Sequence, residues 1–91
     1  MQLADLPAIL DIQAVCYTTI TPESEASLSA KLRASPRTCF IAEQNGKAVG
    51  YLISLPWDRH QPPELDARQC HPPAQPNCLY LHDLAVAPAA R

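Results

Sequence analysis

Apolar residues recur at three- and four-residue spacing over residues 4–17, where Leu6, Ile9, Leu10, Cys16 and Tyr17 fall on or near one stripe. That spacing predicts an amphipathic helix. Asp5 stands where it can cap the start, and Pro7 sits where a missing N–H does no harm. The β-branched run Thr18, Thr19, Ile20 and Thr21, followed by Pro22, ends it. A second helix is predicted over residues 23–34, with Thr21 as N-cap and Pro22 as the first helical residue. Glu23 and Glu25 suit the positive end of its dipole, Lys31 and Arg33 the other end, and Leu28 and Leu32 make a narrow apolar stripe. Residues 38–44 then alternate weakly and are rich in strand formers. Asn45-Gly46 suits a type I′ hairpin turn, in which both central residues need positive φ. Residues 47–55 return as the partner strand, in a register that sets Ile41 against Gly50 and Phe40 against Tyr51. Gly50, without a side chain in a strand interior, marks a bulge or a close backbone approach.

Residues 56–77 hold six prolines, which forbid an interior strand or helix and predict a long loop of the functional or mobile kind. Residues 78–86 read as a third strand, ended by Pro88. The order helix, helix, strand, strand, loop, strand predicts an α+β domain, with two N-terminal helices on a mostly antiparallel three-stranded sheet. At 91 residues there is room for one small domain with a thin core.

Composition narrows the class. The chain is 47% apolar and 18% charged with a net charge of −2, which argues for a folded protein and against one built to grip nucleic acid or an anionic membrane. It has no 18-residue apolar run and no basic segment at its start, so the expected setting is cytoplasmic. Cys16, Cys39, Cys70 and Cys78 are expected to stay reduced. Cys70, His71, Cys78 and His82 are zinc-type residues, but their spacing fits none of the usual paired knuckles, and no metal is expected.

Three segments carry a resemblance: "ADLPAILDIQ", "TCFIAEQNGKAVGYLISLPW" and "LYLHDLAVAPAAR". They resemble, in order, the first helix, the central hairpin and the fourth strand of the GNAT superfamily of acyl-CoA N-acyltransferases. In that family the last strand leads into a loop of the form Arg/Gln-x-x-Gly-x-Gly/Ala. Arg91 matches its first position, and the sequence ends there. The resemblance therefore implies the N-terminal half of such a domain, its first strand reduced to residues 1–3, stopping where the pyrophosphate loop would begin. As a single incomplete domain, the isolated chain is expected to bind acetyl-CoA weakly or not at all and to be a poor enzyme.

The implied reaction is acetyl transfer from acetyl-CoA, as cosubstrate, to a primary amine of a small molecule or peptide. Such chemistry needs a base for the amine, and an imidazole suits it because its ordinary pKa lies near neutrality. It also needs main-chain groups to hold the cofactor arm. The resemblance places Leu84, Ala85 and Val86 at the strand positions that pair with the pantetheine arm and Arg91 at the phosphate loop. His82 matches a family base position, with Asp83 beside it. Strand alternation puts Tyr80, His82, Leu84 and Val86 on one face and Leu81, Asp83 and Ala85 on the other, which argues against a direct His82–Asp83 pair. Each has a plainer alternative: His82 a satisfied structural residue, Asp83 a carboxylate bonded to nearby backbone, Arg91 a surface charge. Tyr17 and Trp57, at element ends, are candidate acceptor-side residues with core caps as the alternative. A second reading is a non-catalytic fragment, or a small interaction module that forms a homodimer through its exposed last strand.

Overall fold

The computed structural model describes residues 1–63 and 66–91; Glu64 and Leu65, in the proline-rich loop, lie outside the described residues. Helices α1 (Leu6–Cys16) and α2 (Glu25–Ala34) precede strands β1 (Cys39–Gln44), β2 (Lys47–Trp57) and β3 (Cys78–Val86), with single 3-10 turns at Leu3–Asp5, Pro36–Thr38 and Pro88–Ala90. The sheet is antiparallel in the order β1-β2-β3. Helix α1 packs on β2 and β3, and α2 on α1 and β2. One core results, built from Leu6, Ile9, Ile12, Leu28, Leu32, Cys39, Tyr51, Ile53 and Ala85. This is the α+β architecture that the sequence predicts.

The differences have local causes. Helix α2 starts later than predicted: Ser24, not Thr21, is the N-cap, its side chain accepting from the Ser27 backbone N–H, and Pro22 and Glu23 lie outside the helix. Asp5 gives no side-chain cap; its carboxylate accepts from the backbone N–H of Gln2 at 2.7 Å. The start of the chain forms a 3-10 turn at Leu3–Asp5 in place of the reduced strand expected over residues 1–3. Pro56 lies inside β2 rather than beginning the loop, pairing with Leu79. It is tolerated because β1 stops at Cys39, opposite Ile53, so the other side of β2 is already an edge there.

The Asn45-Gly46 turn takes positive φ at both positions, 54° and 76°, as the dipeptide predicts. The register beyond it is shifted by one, because Ala42 pairs with Gly50 and Glu43 with Ala48, leaving Val49 as the extra residue of a bulge. Ile41 therefore faces Tyr51, and Phe40 faces Leu52. Gly50 is also a close approach: a Cβ there would stand 3.0 Å from the Ala85 carbonyl oxygen and 3.5 Å from Val86 Cα. Gly50→Val is expected to destabilise the chain by about 1–3 kcal/mol by forcing β3 away. Urea unfolding measures it, and an unchanged midpoint would show that the strand yields freely.

A second bulge decides the site. Ile53 pairs with Asp83 and Ser54 with Leu81, so His82 is the extra residue in β3. The pleat's alternation reverses across it. Leu79, Leu81, Leu84 and Val86 all point outward and are exposed, while Ala85 is buried in the core. The predicted split of His82 and Asp83 onto opposite faces is thereby corrected: both turn toward the helices.

Candidate functional site

A cavity of about 180 Å³ opens between the end of α1, the segment leading into α2, and the bulge of β3. Gln13, Tyr17, Glu23, His82 and Asp83 line it, with Ile20, Thr21, Pro22 and Asp66 completing the wall. The bulge supplies two adjacent side chains, and the segment between the helices brings Glu23 across to meet them.

His82 is held by Glu23. Its Nε2 lies 2.8 Å from Glu23 Oε1, and both side chains are almost wholly buried. The same oxygen accepts from the Lys31 ammonium at 3.0 Å and from the Asp66 backbone N–H at 3.1 Å. Lys31, 2% exposed, also donates to Ser27 Oγ at 2.7 Å. Burial works against ionisation of Glu23, but the donors from His82, Asp66 and Lys31, with the Lys31 charge, outweigh it and hold the carboxyl down at about 2. Glu23 is thus an anion at neutral pH. A neutral imidazole that donates from Nε2 to this anion keeps the Nδ1 lone pair as its basic site.

Asp83 makes a separate arrangement. Its Oδ1 accepts from the Tyr17 hydroxyl at 2.6 Å and its Oδ2 from the Tyr51 hydroxyl at 2.8 Å. Burial, then the Asp83 hydrogen bond and charge, push the Tyr17 hydroxyl up to about 12, and the same causes push Tyr51 upward. Both phenols stay protonated at neutral pH, and the carboxylate is occupied on both oxygens. Of the two strand candidates, His82 has the free basic atom, and Asp83 orients Tyr17 against the sheet.

The outer edge of β3 is the other component. The Ala87 N–H donates to the Val49 carbonyl at 2.7 Å. By antiparallel alternation the main chain of Ala85 turns toward β2, and that of Leu84 and Val86 turns to the free edge. The carbonyls on that edge are engaged: Leu84 by the Tyr17 hydroxyl at 3.2 Å, Val86 by the Cys16 thiol at 3.4 Å and the Arg91 Nε at 2.9 Å. Arg91 folds back on its own strand. Trp57 does not join this group; it lines a larger cavity of about 600 Å³ beneath the proline-rich loop, and its indole N–H donates to the Gln61 carbonyl. The structure therefore unites Tyr17, His82 and Asp83 and leaves Trp57 apart.

The zinc-type residues take separate partners: Cys78 the Trp57 carbonyl, His71 the Gln69 side chain, His82 the Glu23 carboxylate. Among the described residues no group of three His, Cys, Asp or Glu side chains stands close enough to hold a metal ion. All four cysteines are unpaired, and burial pushes the Cys39 and Cys70 thiols up, away from the nucleophilic thiolate. No described helix is long and apolar enough to cross a membrane.

Glu23, Gln13 and Lys31 are site residues that sequence reasoning missed. Gln13 and Lys31 had a signal. Each stands on the buried stripe of its helix, Gln13 four residues after Ile9 and Lys31 three after Leu28, and a polar residue there must find a partner. Glu23 had none, since its role depends on a helix start that falls two residues later than predicted.

No curated protein matches this sequence. Among solved structures, the chain is similar to a protein described as "GphF GNAT-like decarboxylase in complex with isobutyryl-CoA", with a TM-score of 0.76 and 23% identity. The match covers 100% of this chain and 48% of that one, so the chain spans about half the length of its structural neighbour. The fold is shared. The family described as "Acetyltransferase (GNAT) family" matches residues 6–91, nearly the whole sequence, in agreement with the three resembling segments, and the chain belongs to it.

Proposed function

We propose that the chain serves acetyl transfer from acetyl-CoA to a primary amine, with His82 as the base. The observation that carries this reading is the Glu23–His82 pair, set at a bulge in the cavity wall, two residues before Leu84 on the edge strand β3. His82 takes the proton from the incoming ammonium, and the Glu23 anion stabilises the imidazolium that forms. Tyr17, fixed by Asp83, closes the acceptor side. The outward N–H groups of Leu84 and Val86 are fitted to hold a pantetheine amide by strand-like pairing. Acetyl-CoA supplies the activated acyl group as a thioester. Burial pushes the Cys39 and Cys70 thiols up, which leaves those two poor carriers of an acyl group and suits direct transfer. Four unpaired thiols suit a reducing, cytoplasmic setting.

The neighbour's description raises thioester decarboxylation as a rival. The cavity argues against it, because a carboxylated acyl group would be brought against Glu23, Asp66 and Asp83. A non-catalytic pairing module has one observation in its favour, the exposed row Leu79, Leu81, Leu84 and Val86 on an edge strand.

Backbone amide NMR tests the reading. Acetyl-CoA at millimolar concentration is expected to shift the amide signals of Leu84 and Val86 saturably, while acetate leaves them in place. Absence of any shift at those two amides overturns the proposal. A discrete dimer in analytical ultracentrifugation, with no response to acetyl-CoA, transfers support to the pairing module.

A further inference from the structure

His82 is held through Glu23, and Glu23 lies outside any helix or strand. It falls between α1, which ends at Cys16, and α2, which begins at Glu25. Main-chain groups there lack the periodic bonds of a regular element, so other parts of the chain must hold them. Two parts do. From α1, Gln13 Nε2 donates to the Glu23 carbonyl at 3.2 Å. From the proline-rich loop, Asp66 makes a reciprocal pair: its Oδ1 accepts from the Ser24 backbone N–H at 2.7 Å, and its own N–H donates to Glu23 Oε1 at 3.1 Å. The oxygen that receives the Asp66 N–H is the one that receives His82 Nε2, and among the described residues Glu23 is the one hydrogen-bonding partner of the His82 ring.

The backbone at Asp66 is adapted to this double contact. Its φ is 53°, in the left-handed region that aspartate and asparagine tolerate better than other residues with a side chain. One residue thereby grips two consecutive ones, the Glu23 side chain with its N–H and the Ser24 main chain with its carboxylate. The loop cannot shift here and leave Glu23 in place. Asp66 also stands where two cavities adjoin. It lines the smaller one with Glu23 and His82, while Ala67, Arg68 and Gln69 line the larger one with Lys31. The Glu23–Lys31 ion pair joins the lining of one cavity to that of the other, and the loop passes it at Asp66.

We infer that Asp66 is a positioning residue for His82, acting through Glu23, so that docking of the proline-rich loop and orientation of the imidazole are a single event. This rests on the acetyl-transfer reading, which gives His82 its role, and it names a point of control over that site: whatever displaces Asp66 loosens the base. With the tie gone, the Glu23 side chain keeps Lys31 but its own segment loses a main-chain hold, water reaches the carboxylate, and the imidazole N–H takes solvent as its partner. The residue requirement is narrow. Asparagine keeps the left-handed turn and an Oδ1 acceptor, whereas glycine keeps the turn and the N–H but offers Ser24 no acceptor.

The test is proton NMR of the full chain without acetyl-CoA, following the solvent exchange of two protons, the Ser24 amide and the His82 ring N–H. In Asp66→Gly both are expected to exchange about tenfold faster than in the parent chain, and in Asp66→Asn both are expected to stay within about twofold of it. Asp66 is exposed, so neither variant disturbs the core, and the β2 and β3 amide spectrum confirms the fold. A tie that serves stability alone would lower the urea midpoint of Asp66→Gly and free Ser24, yet leave the His82 proton as slow as before; that result overturns the inference. An asparagine variant as fast as the glycine one overturns it too, as does a His82 ring proton already in fast exchange in the parent chain. The readout does not involve acetyl-CoA. Shifts at Leu84 and Val86 with acetyl-CoA but no effect of Asp66 on His82 sink only the positioning role, and the reverse sinks only acetyl transfer.

Discussion

Replacing Lys31 with methionine is expected to destabilise the chain by about 3–5 kcal/mol, the range for breaking one partner out of a buried ion pair. A domain of this size has roughly 5–14 kcal/mol in total, so the variant is expected to be close to unfolding at room temperature. The loss does not come from shape, because methionine fills a similar volume along the same stem. It comes from Glu23, which stays buried and ionised while losing the ammonium 3.0 Å away. Removing both charges in Glu23→Leu with Lys31→Met is expected to recover most of the loss, since a buried pair can be exchanged for apolar packing at little net cost. Urea unfolding of the two variants decides the matter. A loss below about 1 kcal/mol in Lys31→Met would mean that water reaches Glu23 and replaces the ammonium.

Much of this fold was legible because it rests on local chemistry. The stripe Leu6 and Ile9 marks α1, Asn45-Gly46 marks the hairpin, and β3 has the limits that its sequence predicts. What was misread depends on contacts distant in sequence. Helix α2 starts at Glu25 and not at Glu23 because Glu23 is drawn out to Lys31 and His82, and Ser24 then caps the helix in its place. Propensity cannot anticipate that, since a glutamate before a helix also suits the dipole. Both register errors come from bulges, at Val49 and His82, and one extra residue reverses the facing of everything beyond it. Gly50 hinted at the first. Nothing in "LYLHDLAV" announces the second except the result it produces, four large apolar residues that would otherwise alternate between faces.

The candidate site follows the same division. Resemblance and chemistry point to His82 and Asp83, position at an element's end points to Tyr17, and the structure gathers the three around one cavity. Their relations were not legible. A pleat without a bulge sends His82 and Asp83 apart, so the sequence gives no reason to expect that each would find its own partner, Glu23 and the two phenols, within the same wall. Trp57 also stands at the end of a strand, but β2 carries it past the cavity to the proline-rich loop. Position at an element's end identifies what can line a pocket, and only the packing decides which pocket.

Because Glu23 is held at about 2 in the folded chain against an ordinary 4.5, it ties stability to pH in a definite direction. A carboxyl whose folded pKa is depressed binds its proton more tightly in the unfolded state, so its contribution is complete above about pH 4.5 and disappears as pH falls through about 2. The difference in pKa corresponds to roughly 3 kcal/mol, lost across that window. Asp66 and Asp58 add to the acid limb with the same sign, their carboxyls lowered by the backbone N–H groups of Ser24 and His60. Stability measured by urea midpoint is therefore expected to be flat from pH 7 to about 5 and to fall below it. Glu23→Gln separates the buried carboxyl from the surface ones: the variant starts lower at pH 7, having an unpaired ammonium and no anion for His82, and then declines less steeply. Parallel acid limbs in the two proteins would assign the pH dependence to the exposed aspartates and leave Glu23 solvated, with Lys31 and His82 held by packing alone.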